Sequence, residues 1–119
     1  MKLIVNERET RALRAFLQGH PLRITSRVTT VEVSRTVAGH SEAAKAQLHT
    51  AFKRVALIEL STETAAAAAD VGPAALRTLD AIHVASARSV GGELGAFVTY
   101  DTRLAEAATT AGLHVESPA

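Results

Sequence analysis

Apolar positions along this chain return in two alternating rhythms, one helical and one extended. Between Glu7 and Leu17 the residues Ala12, Leu13, Phe16 and Leu17 recur at helical spacing, and Gly19-His20-Pro21 ends the pattern. Leu22 to Thr25 is a short strand candidate. Ser26 is suited to cap a helix carrying Val28, Val31, Val33 and Val37, which runs out near Gly39. A further helix is expected from about Ser41 to Arg54, on Ala44, Leu48, Ala51 and Phe52, and Val55 to Leu60 then reads as a strand. Ser61 or Thr62 opens an alanine-rich helix that Gly72-Pro73 breaks. Leu79 to Val90 is helical and closed by Gly91-Gly92. Ala96 to Tyr100 is apolar and β-prone. Thr102 to Ala111 predicts the last long helix, stopped by Gly112, and Leu113 to Glu116 a final strand.

Strands alternating with helices point to an α/β layer fold with a mainly parallel sheet. The pattern opens on a helix, so a first strand is missing from it. At 119 residues the chain suits one domain, and it contains no linker, low-complexity tract or solenoid repeat.

Composition narrows the chemistry. The absence of cysteine removes disulfides and thiolate metal sites, which fits a reducing, cytoplasmic setting. No segment approaches the roughly 18 uninterrupted apolar residues of a membrane span, and the N-terminus lacks the apolar run of a signal peptide. A formal charge of +1 announces no bulk nucleic-acid binder, though it leaves room for a local basic patch. Aromatic residues are confined to Phe16, Phe52, Phe97 and Tyr100, too few for a base-stacking platform.

Three aspartates occur: Asp70, Asp80 and Asp101. Asp101 directly follows the apolar run Ala96 to Tyr100 and precedes a helix. That is the carboxyl end of a strand, where ligand sites form in open α/β sheets, and also a position where an aspartate serves as an ordinary N-cap. Asp80 sits in the apolar stretch Leu79 to Ala85, on one helical stripe with His83, Val84 and Ala87. A carboxylate beside an apolar face needs a partner, either a basic side chain or a metal. Glu32 is a similar case amid Val31 and Val33. Oxygen-only ligands would select a hard cation, Mg²⁺ or Mn²⁺, suited to phosphodiester hydrolysis. His20, His40, His49 and His114 are scattered, and His83 reads as a structural histidine rather than a zinc ligand.

Three segments in order resemble the PIN-domain family, specifically VapC-like toxins. They are Thr30-Val31-Glu32-Val33-Ser34-Arg35, then Leu76 to Ala87 with Leu79-Asp80-Ala81 at its centre, then Phe97-Val98-Thr99-Tyr100-Asp101-Thr102-Arg103-Leu104. The closing Ala111 to Pro118 is similar to the family's usual end. The resemblance implies a parallel sheet between helices and an acidic metal site to which Glu32, Asp80 and Asp101 contribute. Thr99 matches a hydroxyl residue that accompanies the last aspartate. It also implies RNA cleavage with Mg²⁺ or Mn²⁺, a homodimer, and neutralisation by a cognate antitoxin. Arg35 and Arg103, the basic residues nearest those acids in sequence, are the first candidates for RNA phosphates; Arg27, Arg77 and Arg88 are further ones.

The resemblance departs from the family at the start. Family members open on a strand ending in an aspartate, whereas Lys2 to Glu7 resembles the middle of the helix that follows it. A start assigned too far downstream, or a shortened gene, accounts for this, and under either the chain as given is expected to bind metal weakly and cleave poorly. Another alignment makes Met1 to Val5 the opening strand, with Asn6 in the aspartate's place. The competing functional readings are a non-catalytic PIN-like binding protein, serving as an antitoxin decoy or a decayed remnant, and a plain α/β domain whose acids are caps and salt bridges.

Overall fold

A computed structural model describes residues 10–119. The start of the first helix at Glu7, the Lys2 to Glu7 match, and the alternative strand Met1 to Val5 with Asn6 lie outside the described residues. The chain forms two compact units; the first ends at Leu57 and includes Pro118 and Ala119, and the second runs from Ile58 to Ser117.

The first unit contains α1 (Thr10–Gln18), β1 (Arg23–Ser26), α2 (Arg27–Val37), α3 (Glu42–Phe52) and all but the last residue of β2 (Val55–Ile58), with β1 paired to β2. Local hydrogen bonds explain its boundaries. Arg23 donates to the carbonyls of Leu17 (3.0 Å) and His20 (3.3 Å), closing the end of α1. Ser26 accepts from the Val28 amide at 3.2 Å, so α2 starts on the expected cap, and Ser41 accepts from the Ala44 amide at 3.2 Å and caps α3 rather than opening it. Val37, Ala44 and Leu13 are buried. Leu22 and Val31, by contrast, stand 95% and 58% exposed.

The second unit holds α4 (Thr62–Ala69), α5 (Thr78–Val90), a 3₁₀ turn (Gly91–Glu93), β3 (Phe97–Val98), α6 (Thr102–Thr110) and β4 (Val115–Glu116). Ser61, not Thr62, caps α4, accepting from the Thr64 amide at 3.0 Å. α5 is the unit's central helix and uses two faces. Ala81 and Ala85 pack on Ala68 of α4. Val84, fully buried, packs on Ala107 and Ala108 of α6, with Phe97 and Val115 of the strands closing over them. Methyl side chains at these crossings let the helix axes approach closely. α5 and α6 each end at a glycine in the left-handed region, Gly91 at φ 74° and Gly112 at φ 90°.

β3 and β4 run parallel, with Phe97 opposite Val115 and Val98 opposite Glu116. The sheet content among the described residues is therefore two strand pairs, β1-β2 and β3-β4. Ala96 to Tyr100 was expected to be extended throughout, but the β3 ladder is only two residues long because β4 offers only two partners. The Thr99 amide still reaches the Glu116 carbonyl at 3.2 Å. Beyond it the chain leaves the sheet and turns into α6.

Candidate active site

The second unit brings the N-termini of two helices to one place. At the first, the turn after Gly72-Pro73 delivers the chain into α5 with Arg77 at the N-cap and Asp80 in the first turn. Asp80 is buried, at 8% exposure, because its neighbours Ala81 and Val84 lie in the cores against α4 and α6. At the second, the chain leaving β3 reaches Asp101, which caps α6 by accepting from the Leu104 amide at 3.0 Å. Asp101 sits where sequence placed it, beyond the carboxyl end of a parallel strand and at the positive end of a helix.

One guanidinium joins the two acids. Arg77 Nε donates to Asp80 Oδ2 at 3.1 Å, and Arg77 Nη2 donates to Asp101 Oδ2 at 3.3 Å. Leu76, Arg77, Asp80, Asp101, Thr102 and Arg103 line a cleft of about 460 Å³. The Asp101 carboxyl is held below the usual aspartate range. The Leu104 amide is the main cause; the Arg103 amide and the charges of Arg77 and Arg103 act the same way, against a partial desolvation that opposes them.

Thr99 supports this arrangement. Its hydroxyl accepts from the Asp101 amide at 3.1 Å, and its carbonyl accepts from the Ser117 hydroxyl at 2.5 Å. The backbone on which Asp101 turns is thus fixed from both sides. Arg103, on the first turn of α6, is exposed at the rim of the cleft.

Glu32 and Arg35 belong to the first unit, on α2. Glu32 is half-buried and its carbonyl accepts from the Thr36 hydroxyl at 2.8 Å; Arg35 is exposed in the last turn. The structure therefore brings Asp80, Asp101, Thr99 and Arg103 together within one unit, and Glu32 and Arg35 are described with the other. Among the described residues no three histidine, aspartate or glutamate side chains gather into a metal-holding group.

The donor set still fits a small hard dication. Two carboxylates already share one cationic group, and Mg²⁺ is commonly held by one or two carboxylates, the remaining positions going to water and substrate phosphate. A basic partner is the alternative to a metal at Asp80, and the structure gives Asp80 such a partner, Arg77. The spacing of three between Arg77 and Asp80 signalled that half of the bridge. The other half spans 24 residues and left no local trace.

The PIN domain profile matches residues 1–109. Ribonuclease VapC46 of Mycobacterium tuberculosis (strain ATCC 25618 / H37Rv) is 36% identical over 118 residues, covering 99% of this chain and 91% of the relative. Ribonuclease VapC47 (strain CDC 1551 / Oshkosh) is 36% identical over 123 residues, covering 98% and 90%. Ribonuclease VapC35 (strain CDC 1551 / Oshkosh) is 39% identical over 122 residues, covering 99% and 90%. No solved structure matches the chain significantly. This chain belongs to the PIN-domain family, among the VapC-type ribonucleases.

Proposed function

We propose that the chain, as one PIN-like domain over residues 1–119, is the endoribonuclease toxin of a toxin-antitoxin pair and hydrolyses RNA phosphodiesters at the Asp80–Asp101 cleft, with weak metal binding and a low rate in the chain as given. The observation that carries this reading is the convergence of two carboxylates from two helix N-termini onto a single cation beside an open cleft. Asp80 and Asp101 would hold Mg²⁺ or Mn²⁺, joined by Glu32 as the resemblance implies. A cation there would supply an activated water and neutralise charge gathering on the phosphate. The remaining roles fall to the chain's own groups. Thr99 sets the Asp101 backbone. Arg103 offers an exposed guanidinium to the RNA backbone at the cleft rim, and Arg35 a second one on α2.

The partners of this reading are RNA, a cognate antitoxin and a second copy of the chain. Leu22, Ile24 and Val31, all large apolar side chains exposed on the first unit, support a protein interface there. No described helix is long and apolar enough to cross a membrane, and the reading places the reaction in the cytoplasm. The non-catalytic alternative gains from one observation, the guanidinium that already occupies the paired carboxylates.

The two readings separate on expression in a bacterial host. The toxin reading expects growth arrest, relief by the neighbouring antitoxin gene, and loss of the arrest in Asp80→Asn. Antitoxin capture without growth arrest, from a folded protein, would establish the non-catalytic reading instead.

A further inference from the structure

Arg77 is in the wrong place for helix stability. It occupies the N-cap of α5 and makes no capping hydrogen bond with its side chain, where serine, threonine or aspartate would satisfy a free amide. It also sets a positive charge at the positive end of the helix dipole. Its side chain is 75% exposed, so packing does not hold it there either. The interactions that account for its position are the two carboxylates, Asp80 through Nε and Asp101 through Nη2. Those two bonds use two of the guanidinium's five N–H groups.

We propose that Arg77 is the displaceable counter-ion of the acidic pair, holding Asp80 and Asp101 together until a divalent cation takes their oxygens, and then turning its guanidinium to an RNA phosphate in the same cleft. This rests on the proposed metal-dependent function and adds a positioning residue to it. Two like charges brought to one guanidinium repel each other, and a cation between them offsets that repulsion. A guanidinium does this in the absence of metal. It also competes with the metal, because both bind the same oxygens. Exposure makes the exchange feasible: a side chain in water swings away without disturbing the core, and its pair with the exposed Asp101 carboxylate is individually weak. Once released, it lies beside Arg103, and the cleft then presents two guanidinium groups to the strand.

The test is a Mn²⁺ titration of the RNA-free protein, with free Mn²⁺ followed by electron paramagnetic resonance. Removing the two ion pairs from the competition is expected to tighten Mn²⁺ binding about three- to tenfold in Arg77→Gln. Arg88→Gln serves as the control for net charge. Arg88 lies in the last turn of the same helix, roughly 16 Å along the axis, and is expected to leave Mn²⁺ binding unchanged. At saturating Mn²⁺, Arg77→Gln is also expected to flatten the plot of log kcat/KM for single-stranded RNA against log salt by about 0.7, the loss of one phosphate contact.

Equal or weaker Mn²⁺ binding in a folded Arg77→Gln variant overturns the exchange, and an unchanged salt slope overturns the phosphate role. If neither the native chain nor the variant binds Mn²⁺, the metal-dependent reading itself fails and this inference falls with it. If the native chain binds and Arg77→Gln binds no more tightly, only the inference falls.

Discussion

Val84→Ala tests whether helix packing, rather than the acids themselves, keeps the site assembled. Val84 is 0% exposed and packs in one cluster with Ala107 and Ala108 of α6, themselves 2% and 0% exposed. It lies one helical turn beyond Asp80 on the same stripe, and α6 carries Asp101 at its start. The substitution removes two methyl groups, worth about 1.6 kcal/mol in transfer free energy. The alanines opposite are too short to fill the gap. A residual void of roughly 40 Å³ at about 24 cal/mol per Å³ adds close to 1 kcal/mol. The expected loss is therefore about 2.5 kcal/mol, set against a total of roughly 5–15 kcal/mol for a domain of this kind. The variant should remain folded at ambient temperature. Urea unfolding followed by circular dichroism would read the loss as a lower midpoint at unchanged slope. RNA cleavage should fall as well, although Val84 does not line the cleft. A loss under about 0.5 kcal/mol, the level of an ordinary surface change, would refute the claim that this crossing holds α5 on α6.

Two further predictions concern Asp101. Its folded carboxyl is depressed, so the stability it contributes is full above the ordinary aspartate value of about 3.9 and is lost as pH falls through the lower folded value. Asparagine caps a helix about as well but carries no charge. The melting temperature gap between the native chain and Asp101→Asn should thus close as pH is taken below about 4, whereas a gap that widens in acid would contradict the sign. Thr99→Val keeps the shape and removes the acceptor of the Asp101 amide. It is expected to cost about 0.5–1.5 kcal/mol in stability and roughly tenfold or more in cleavage rate, with Thr99→Ser restoring both. Full activity in Thr99→Val would remove Thr99 from the site.

The parts of the fold written in local chemistry were legible in the sequence. Ser26, Ser41 and Ser61 announce the starts of α2, α3 and α4 through hydroxyls that reach amides two or three residues on. Gly91 and Gly112 mark the ends of α5 and α6 because the backbone there needs a positive φ. Strand lengths were not legible, since a ladder extends only as far as its partner. Asp80 and Asp101 stood out as carboxylates in apolar surroundings. That one arginine spans both could not be read, because the α5–α6 crossing sets the distance between Arg77 and Asp101, and no spacing along the chain encodes it.

The central claim is that Asp80 and Asp101 act as one unit in metal-dependent RNA hydrolysis. The most direct measurement is the rate of cleavage of a single-stranded RNA across a Mn²⁺ titration, for the native chain, Asp80→Asn, Asp101→Asn and the double variant. Losing a ligand should cost more than losing a group that merely supports one, so each single change is expected to lower the rate about 100-fold or more. The double change should lower it little further, as for residues that serve one step together. Cleavage that needs no metal, survives either substitution, or falls by the product of the two single effects would contradict the account.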